Sequence, residues 1–204
     1  MKRITILAAT AGLALAACGS SNARGSSSAT ATGKTGTTAV VGSATTMVDV
    51  KAGADAEFAQ GMIAHHEQAI EMADMALDPK ASASTPVKDL ATRIKAAQDP
   101  EITQMKTWLT KMAMPMQMDT AAGHGMSGMA GMMSTSDMDA LGKKTGKDFD
   151  KAWLDMMIAH HAGAITMSET LKANGTDPEM KKLADTIISA QQKEIGMMKA
   201  LGGA

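Results

Sequence analysis

Between Ala54 and Leu201 the apolar residues recur every third or fourth position in four separate stretches. That spacing lines one face of an α-helix. In the first stretch, from about Ala54 to Leu77, Phe58, Met62, Ala69 and Met72 share a face; in the third, from about Ser136 to Ala173, Trp153, Met157, Ala164 and Met167 do so. The second, from about Pro86 to Met112, carries Leu90, Ile94, Ala97, Met105 and Trp108 on its face, and the fourth carries Leu183, Ile187, Ala190, Met198 and Leu201. Asp78-Pro79 stops the first helix and Asn174-Gly175 the third. Asp177 is the expected N-cap of the fourth, with Pro178 in its first turn. Pro100 is expected to disturb the second helix, and Gly142 or Gly146 to break the third. The expected fold class is all-α.

The four helices are two copies of one pair. Phe58 to Met72 matches Trp153 to Met167 at an offset of 95, and residues 90–108 match 183–201 at an offset of 93. Short links within each copy predict antiparallel hairpins, 54–112 and 136–204, joined as one ferritin-like four-helix bundle. The connection between them, 113–135, is long enough to cross the bundle or to loop back, so the topology stays open.

The N-terminal part reads differently. Lys2 and Arg3 precede an apolar run from Ile4 to Leu15 that is too short for a mature membrane-spanning helix and has the layout of a secretory signal. It ends in Leu15-Ala16-Ala17-Cys18, which has the form of a bacterial lipobox. Residues 1–17 are thus expected to be a lipoprotein signal peptide. Cys18 would carry the lipid that anchors an exported protein to the cell membrane, facing the periplasm or cell exterior. Cys18 is the one cysteine of the 204 residues, so no disulfide forms within the chain. Residues 18–53 are rich in Ser, Thr, Gly and Ala and read as a flexible tether. The net charge of −1 supplies no basic face for nucleic acid.

Polar residues inside the apolar faces carry the chemistry. "MIAHHEQAIEM" at 62–72 returns as "MIAHHAGAITM" at 157–167, so four of the five histidines form two adjacent pairs. At about 100° per residue His65, His66, His160 and His161 all fall within the apolar arcs, and Glu101 and Glu194 fall mid-stripe on the facing helices. A buried polar group without a partner costs about 1–3 kcal/mol. One His–Glu hydrogen bond per hairpin would meet that need. It requires neither the second histidine nor the thioethers around it. Each hairpin presents Met-x-x-His-His on one helix and Gln-x-x-Glu-Ile-x-x-Met on the other (Gln98, Glu101, Met105; Gln191, Glu194, Met198). Imidazole, thioether and carboxylate together are metal ligands with a supporting shell. Di-iron bundles use Glu-x-x-His, whereas the matching spacing here is Met62-x-x-His65 and Met157-x-x-His160. Thioether with imidazole favours Cu(I), and imidazole also accepts Cu(II). Copper ions are the expected partner.

The connection adds Met112, Met114, Met116, Met118, Met126, Met129, Met132 and Met133 around His124, in a Gly-rich setting. In an exposed segment these methionines have no core to fill. They read as a soft-metal collecting loop, against the plainer reading of a low-complexity linker.

The paired "MIAHH" segments, each followed by A-I-x-M, and the paired Q-x-x-E-I-x-x-M segments resemble the family catalogued as domain of unknown function 305. The resemblance runs from about Asp55 to Leu201 and leaves out the Met-rich connection. It implies a ferritin-like helical bundle that binds copper outside the cytoplasm, as its periplasmic copper-resistance member does. Met62, His65, His66 and Met72, with Met157, His160, His161 and Met167, are the implied ligands. The second copy has Ala162-Gly163 where the first has Glu67-Gln68, so the two sites need not be equal.

Three functions compete at this point. The first is a non-enzymatic copper-binding lipoprotein that sequesters, buffers or transfers copper. The second is a metal-dependent oxidoreductase, a cuprous oxidase or di-metal enzyme, kept open by the inward glutamates. The third is a structural or interaction bundle in which His and Glu satisfy each other. No nucleophile–base arrangement or phosphate-cradling motif occurs, so no catalytic residue is assigned. The motifs can meet within one chain or across a homodimer, and a transfer role requires a copper-accepting partner protein.

Overall fold

The computed structural model describes residues 50–118 and 128–203. The signal segment, Cys18 and the tether up to residue 49 lie outside the described residues, as do His124 and Met126 of the connection. The described chain is all-α, with five helices and one 3-10 turn and no strand among the described residues. Helix α1 spans Val50–Leu77, α2 Thr85–Lys111, α3 Thr135–Gly142, α4 Gly146–Asn174 and α5 Pro178–Ala200. The chain breaks between α3 and α4 within the Gly142 to Gly146 interval. Helix α2 runs through Pro100 without ending. Pro100 is exposed, as is Ala96 one turn earlier, so water can serve the Ala96 carbonyl that the proline leaves unbonded.

The helix starts are fixed by side chains. Asp177 Oδ1 accepts from the main-chain N–H of Glu179 at 2.8 Å and of Met180 at 3.0 Å, the bonds that an N-cap supplies. Ser134 and Asp137 form a reciprocal capping box at the start of α3. A second kind of anchor reaches between the two halves of the chain. Asp55 of α1, almost fully buried, accepts from the main-chain N–H groups of Thr176 and Asp177 and from the Thr176 hydroxyl, at 3.0–3.2 Å. Asp150 of α4 accepts from Ser84 N–H, at 3.1 Å, at the start of α2. Asp55 and Asp150 are 95 positions apart, so each long first helix holds the start of the other copy's second helix.

Helix α1 packs on α2 and α4, and α4 packs on α5. The apolar side chains form two clusters rather than one. The first gathers the C-terminal half of α1 (Ala69, Met72, Ala73, Ala76), the N-terminal halves of α2 and α4, Met138 and Leu141 of α3, and Met198. The second gathers the N-terminal half of α1 (Phe58, Ala59, Met62, Ile63), the C-terminal half of α2, Ala164 and Leu171 of α4, and the N-terminal half of α5. A belt of buried or half-buried polar residues lies along the chain between them: His65 and His66, Gln98 and Glu101, His160 and His161, Gln191 and Glu194.

Two expectations change. Leu201 does not continue the α5 stripe; the helix ends at Ala200, and Leu201 is 41% exposed as its C-cap. The connection is not wholly an exposed segment either. Met133 packs against the first cluster and Met114 against the second, and Met118, Met129 and Met132 are half-buried. Met112 and Met116 are exposed. The reason is backbone anchoring: Gln68 donates to Met133 O at 2.9 Å and accepts from Met133 N–H at 2.8 Å, while Gln60 donates to Pro115 O at 2.7 Å.

Candidate metal centre

Adjacent histidines on a helix point about 100° apart, and the two members of each pair serve different neighbours. The second member stays within its hairpin. His66 Nε2 meets Glu101 Oε2 at 2.8 Å, and His161 Nε2 meets Glu194 Oε2 at 2.7 Å. The first member crosses between hairpins: the rings of His65 and His160 stand 3.7 Å apart between centroids, inclined at 39°. All four side chains have no exposed surface.

Hydrogen bonding fixes what these rings offer. His65 Nε2 lies 3.0 Å from Ala130 O, and a carbonyl only accepts, so Nε2 carries the proton and Nδ1 keeps its lone pair. A carboxylate facing Nε2 of His66 and of His161 sets the same tautomer there. The Nδ1 atoms of His65, His66, His160 and His161 are all buried with no hydrogen-bond partner among the described residues, as is Nε2 of His160. An imidazole whose far N–H is held by carboxylate or carbonyl, with a free lone pair facing inward, has the arrangement of a metal-ligating histidine.

The electrostatics keep the crossing pair neutral. Burial, reinforced by repulsion from the neighbouring His66, lowers His65 to about 3; the hydrogen bond to Ala130 and His161 are smaller influences, in opposite senses. Burial, then repulsion from His65 and the other two histidines, holds His160 well below its ordinary value, and the His65 main chain works the other way. Neutral imidazole is the form that binds a metal ion.

The methionines divide by position. Met62 and Met157, one turn before the crossing rings, are fully buried at the two edges of the belt, as are Met105 and Met198 on the facing helices. Met72 lies about 10 Å further along α1 than His65, at 1.5 Å per residue, inside the first apolar cluster. There Trp153 Nε1 donates to its carbonyl at 2.8 Å. Met167 lies beyond His161 toward the other end of α4, half-buried beside Gly61 of α1. By helix position Met62 and Met157 stand one turn from the histidines, within the second and the first apolar cluster, and Met72 and Met167 stand about two turns from them. Among the described residues no three His, Cys, Asp or Glu side chains are placed to hold a metal ion together. A ligand set drawn on this belt therefore depends on thioether sulfur to complete it. Gln98 and Gln191 are buried one turn before the glutamates, with neither amide atom partnered among the described residues.

Sequence reasoning missed the part played by the connection. Ala130 supplies the carbonyl that orients His65, and Gly131, at φ +78°, lets the segment turn over α4. Gly163 makes that passage possible: a β-carbon there would lie 2.0 Å from Ala130 O and 2.6 Å from Gly131 Cα. The signal was present as the change from Glu67-Gln68 to Ala162-Gly163. Gln68 clamps the connection and Gly163 clears its path.

The described chain is all-helical and sets buried imidazoles backed by carboxylates in two helical pairs. The chain belongs to the family described as domain of unknown function DUF305, whose sequence pattern matches residues 55–202. A DUF305 protein from Streptomyces coelicolor has a similar structure, with 32% identity, a TM-score of 0.65, and 72% of this chain and 91% of that one covered. CopM in its Cu(I)-bound form has 36% identity and a TM-score of 0.59, covering 72% of this chain and 94% of that one. An uncharacterized protein, L153, of Acanthamoeba polyphaga mimivirus is 46% identical over 52 residues, which are 26% of this chain and 34% of that protein. The match therefore spans about a third of that relative's length.

Proposed function

We propose that this protein is an extracytoplasmic copper-binding protein that sequesters, buffers or transfers copper without catalysing its oxidation, drawing its inner ligands from among His65, His66, His160, His161, Met62 and Met157, with at most two of the histidines on any one ion. In this reading the four long helices act as two repeated hairpins of a ferritin-like bundle. The observation that carries it is the set of four buried Nδ1 atoms without partners, three of them on rings whose Nε2 is already held. Leaving such groups empty costs about 1–3 kcal/mol each, and an ion that binds only the folded chain returns that free energy. The likeness to CopM, which has been solved with Cu(I), Cu(II) and Ag bound, supports copper as the ion. Glu101 and Glu194 each face a histidine, so they serve as partners of ligands rather than as a bridging carboxylate pair. That favours binding over oxidase chemistry.

Export and anchoring complete the proposal. No helix among the described residues is long and apolar enough to cross a membrane, and attachment is assigned to a lipid on Cys18. Stable anchoring takes two acyl chains or one with a second signal. Cys18→Ser should move the protein from the membrane to the soluble fraction; a variant that still sediments with membranes contradicts the anchor.

The decisive experiment is a Cu(I) titration against a competing chromophoric chelator. Wild type should hold copper that the variant carrying His65→Gln, His66→Gln, His160→Gln and His161→Gln does not, with helicity preserved. A variant that retains wild-type copper affinity would overturn the inner site.

A further inference from the structure

Gly61 stands inside α1, where glycine costs about 1 kcal/mol relative to alanine, and its counterpart in the second copy is Met156. What the missing side chain leaves room for is sulfur. A β-carbon on Gly61 would lie 3.2 Å from Met129 Sδ, 3.5 Å from Met118 Sδ and 3.3 Å from the Met167 methyl carbon. Thioethers from both ends of the connection and from α4 thus converge on one bare patch of α1.

The connection's backbone is captured at residues near Met118 and Met129, independently of the sulfurs. Pro115 is bound by Gln60, Ala130 by His65 and Met133 by Gln68. The three methionines, all half-buried, line a cleft of about 660 Å³ between α1 and α4. Among the described residues Glu57 is the one charged side chain lining it, and neither lysine nor arginine does so. An approaching cation therefore meets neutral soft donors and one carboxylate.

We propose that Met118, Met129 and Met167 form a second, outer metal site over Gly61, a thioether-only site for a monovalent soft ion such as Cu(I) or Ag(I). The proposal rests on the copper reading for the identity of the cargo and on the sulfur cluster for the place. Neutral thioethers select Cu(I) over Cu(II) or Zn, which favour imidazole, carboxylate or thiolate. The site is separate from the imidazole belt yet adjoins it, since Met129 is followed by Ala130, whose carbonyl orients His65. An ion bound outside is thus one residue from the group that prepares the inner ligand.

The test uses the full chain labelled with methyl-13C methionine and Ag(I) as a redox-stable stand-in for Cu(I). The methyl resonances, assigned by single Met→Leu substitutions, should show Met118, Met129 and Met167 shifting together with one equivalent of Ag(I). The Met118→Leu, Met129→Leu, Met167→Leu triple variant should bind one equivalent fewer, and the outer shifts should persist in a His65→Gln, His160→Gln variant. Methyl groups that fail to move in step, or a folded triple variant with the wild-type count, overturn the outer site. If the triple variant does not fold, the wild-type shifts decide alone. Loss of an equivalent in the triple variant but not in the histidine variant would sink the inner site and leave this one standing; the reverse would sink this one alone.

Discussion

His65 and His160, equivalent residues of the two sequence repeats, face each other with ring centroids 3.7 Å apart. Two rings so close and so deeply buried coexist only while uncharged, and burial holds both far below the ordinary histidine range. Repetition of the motif therefore does more than duplicate a site. It places one ring from each copy at a shared seam between two apolar clusters.

Stability of the metal-free protein should fall with acid because of this pair. His65 has a folded pKa lowered to about 3 against about 6.5 unfolded. Between those values the unfolded chain binds the extra proton, so stability is full above about pH 6.5 and declines toward pH 3. Thermal melts followed by circular dichroism at pH 7 and pH 4.5 should show a loss of several degrees. The loss should shrink in the His65→Gln, His160→Gln variant, and an equal loss in both proteins would remove these histidines as its cause.

Removing the carboxylate partners should separate stability from ligation. Glu194→Ala leaves the buried His161 Nε2 without its acceptor and should cost about 1–3 kcal/mol; Glu101→Ala should do the same for His66. Glu169→Ala on the exposed face of α4 is the control, expected within about 0.5 kcal/mol of wild type. Glu194→Gln keeps an acceptor for His161 but lowers the basicity of its ring, and should weaken copper binding about 10–100-fold. Denaturant melts and copper competition on the same variants measure the two effects.

Gly163→Ala should be among the more damaging single-methyl additions. The new β-carbon would overlap Ala130 O, 2.0 Å away, and the obstacle is backbone that cannot swing aside. The connection must lift from α4, which breaks the hydrogen bond from His65 to Ala130. A loss of about 1–3 kcal/mol is expected, with faster hydrogen exchange at residues 128–133. Unchanged exchange there would show that the close passage over Gly163 does not hold in solution.

The helices and their inward polar residues were legible because periodicity of 3.6 reports burial directly. Leu90, Ile94, Met105 and Trp108 are all buried where the wheel puts them. That each glutamate would meet an inward histidine of its own hairpin was legible for a related reason, since buried polar groups seek partners on the facing helix; that the partners are His66 and His161 came from the structure. What periodicity does not encode is register between hairpins. Nothing along the chain says that His65 meets its own repeat equivalent, or that Met167 stands beside Gly61 rather than beside His160. The connection was legible only through the change from Glu67-Gln68 to Ala162-Gly163. Its order comes from main-chain groups captured by Gln60, Gln68 and His65, and the carbonyl of an alanine has no sequence signature.

The positions of the methionines yield the sharpest separation of ligand from filler. Met62, Met157 and Met72 are equally buried, with no exposed surface, so transfer free energy does not distinguish them. Methionine to leucine is nearly volume-conserving and usually costs less than about 1.5 kcal/mol, while it removes the only atom that can bind a soft ion. Met62 and Met157 sit one turn from His65 and His160, in the second and the first apolar cluster; Met72 is also in the first cluster but stands about two turns beyond His65. Met62→Leu and Met157→Leu should therefore lower Cu(I) affinity at least about tenfold with little change in melting temperature. Copper-dependent stabilisation should shrink in step, since the shift follows the ratio of free ion to Kd. Met72→Leu should leave both affinity and the copper-dependent shift as in wild type. Equal losses in all three variants would place Met72 among the ligands and mean that α1 shifts along its axis when the ion binds.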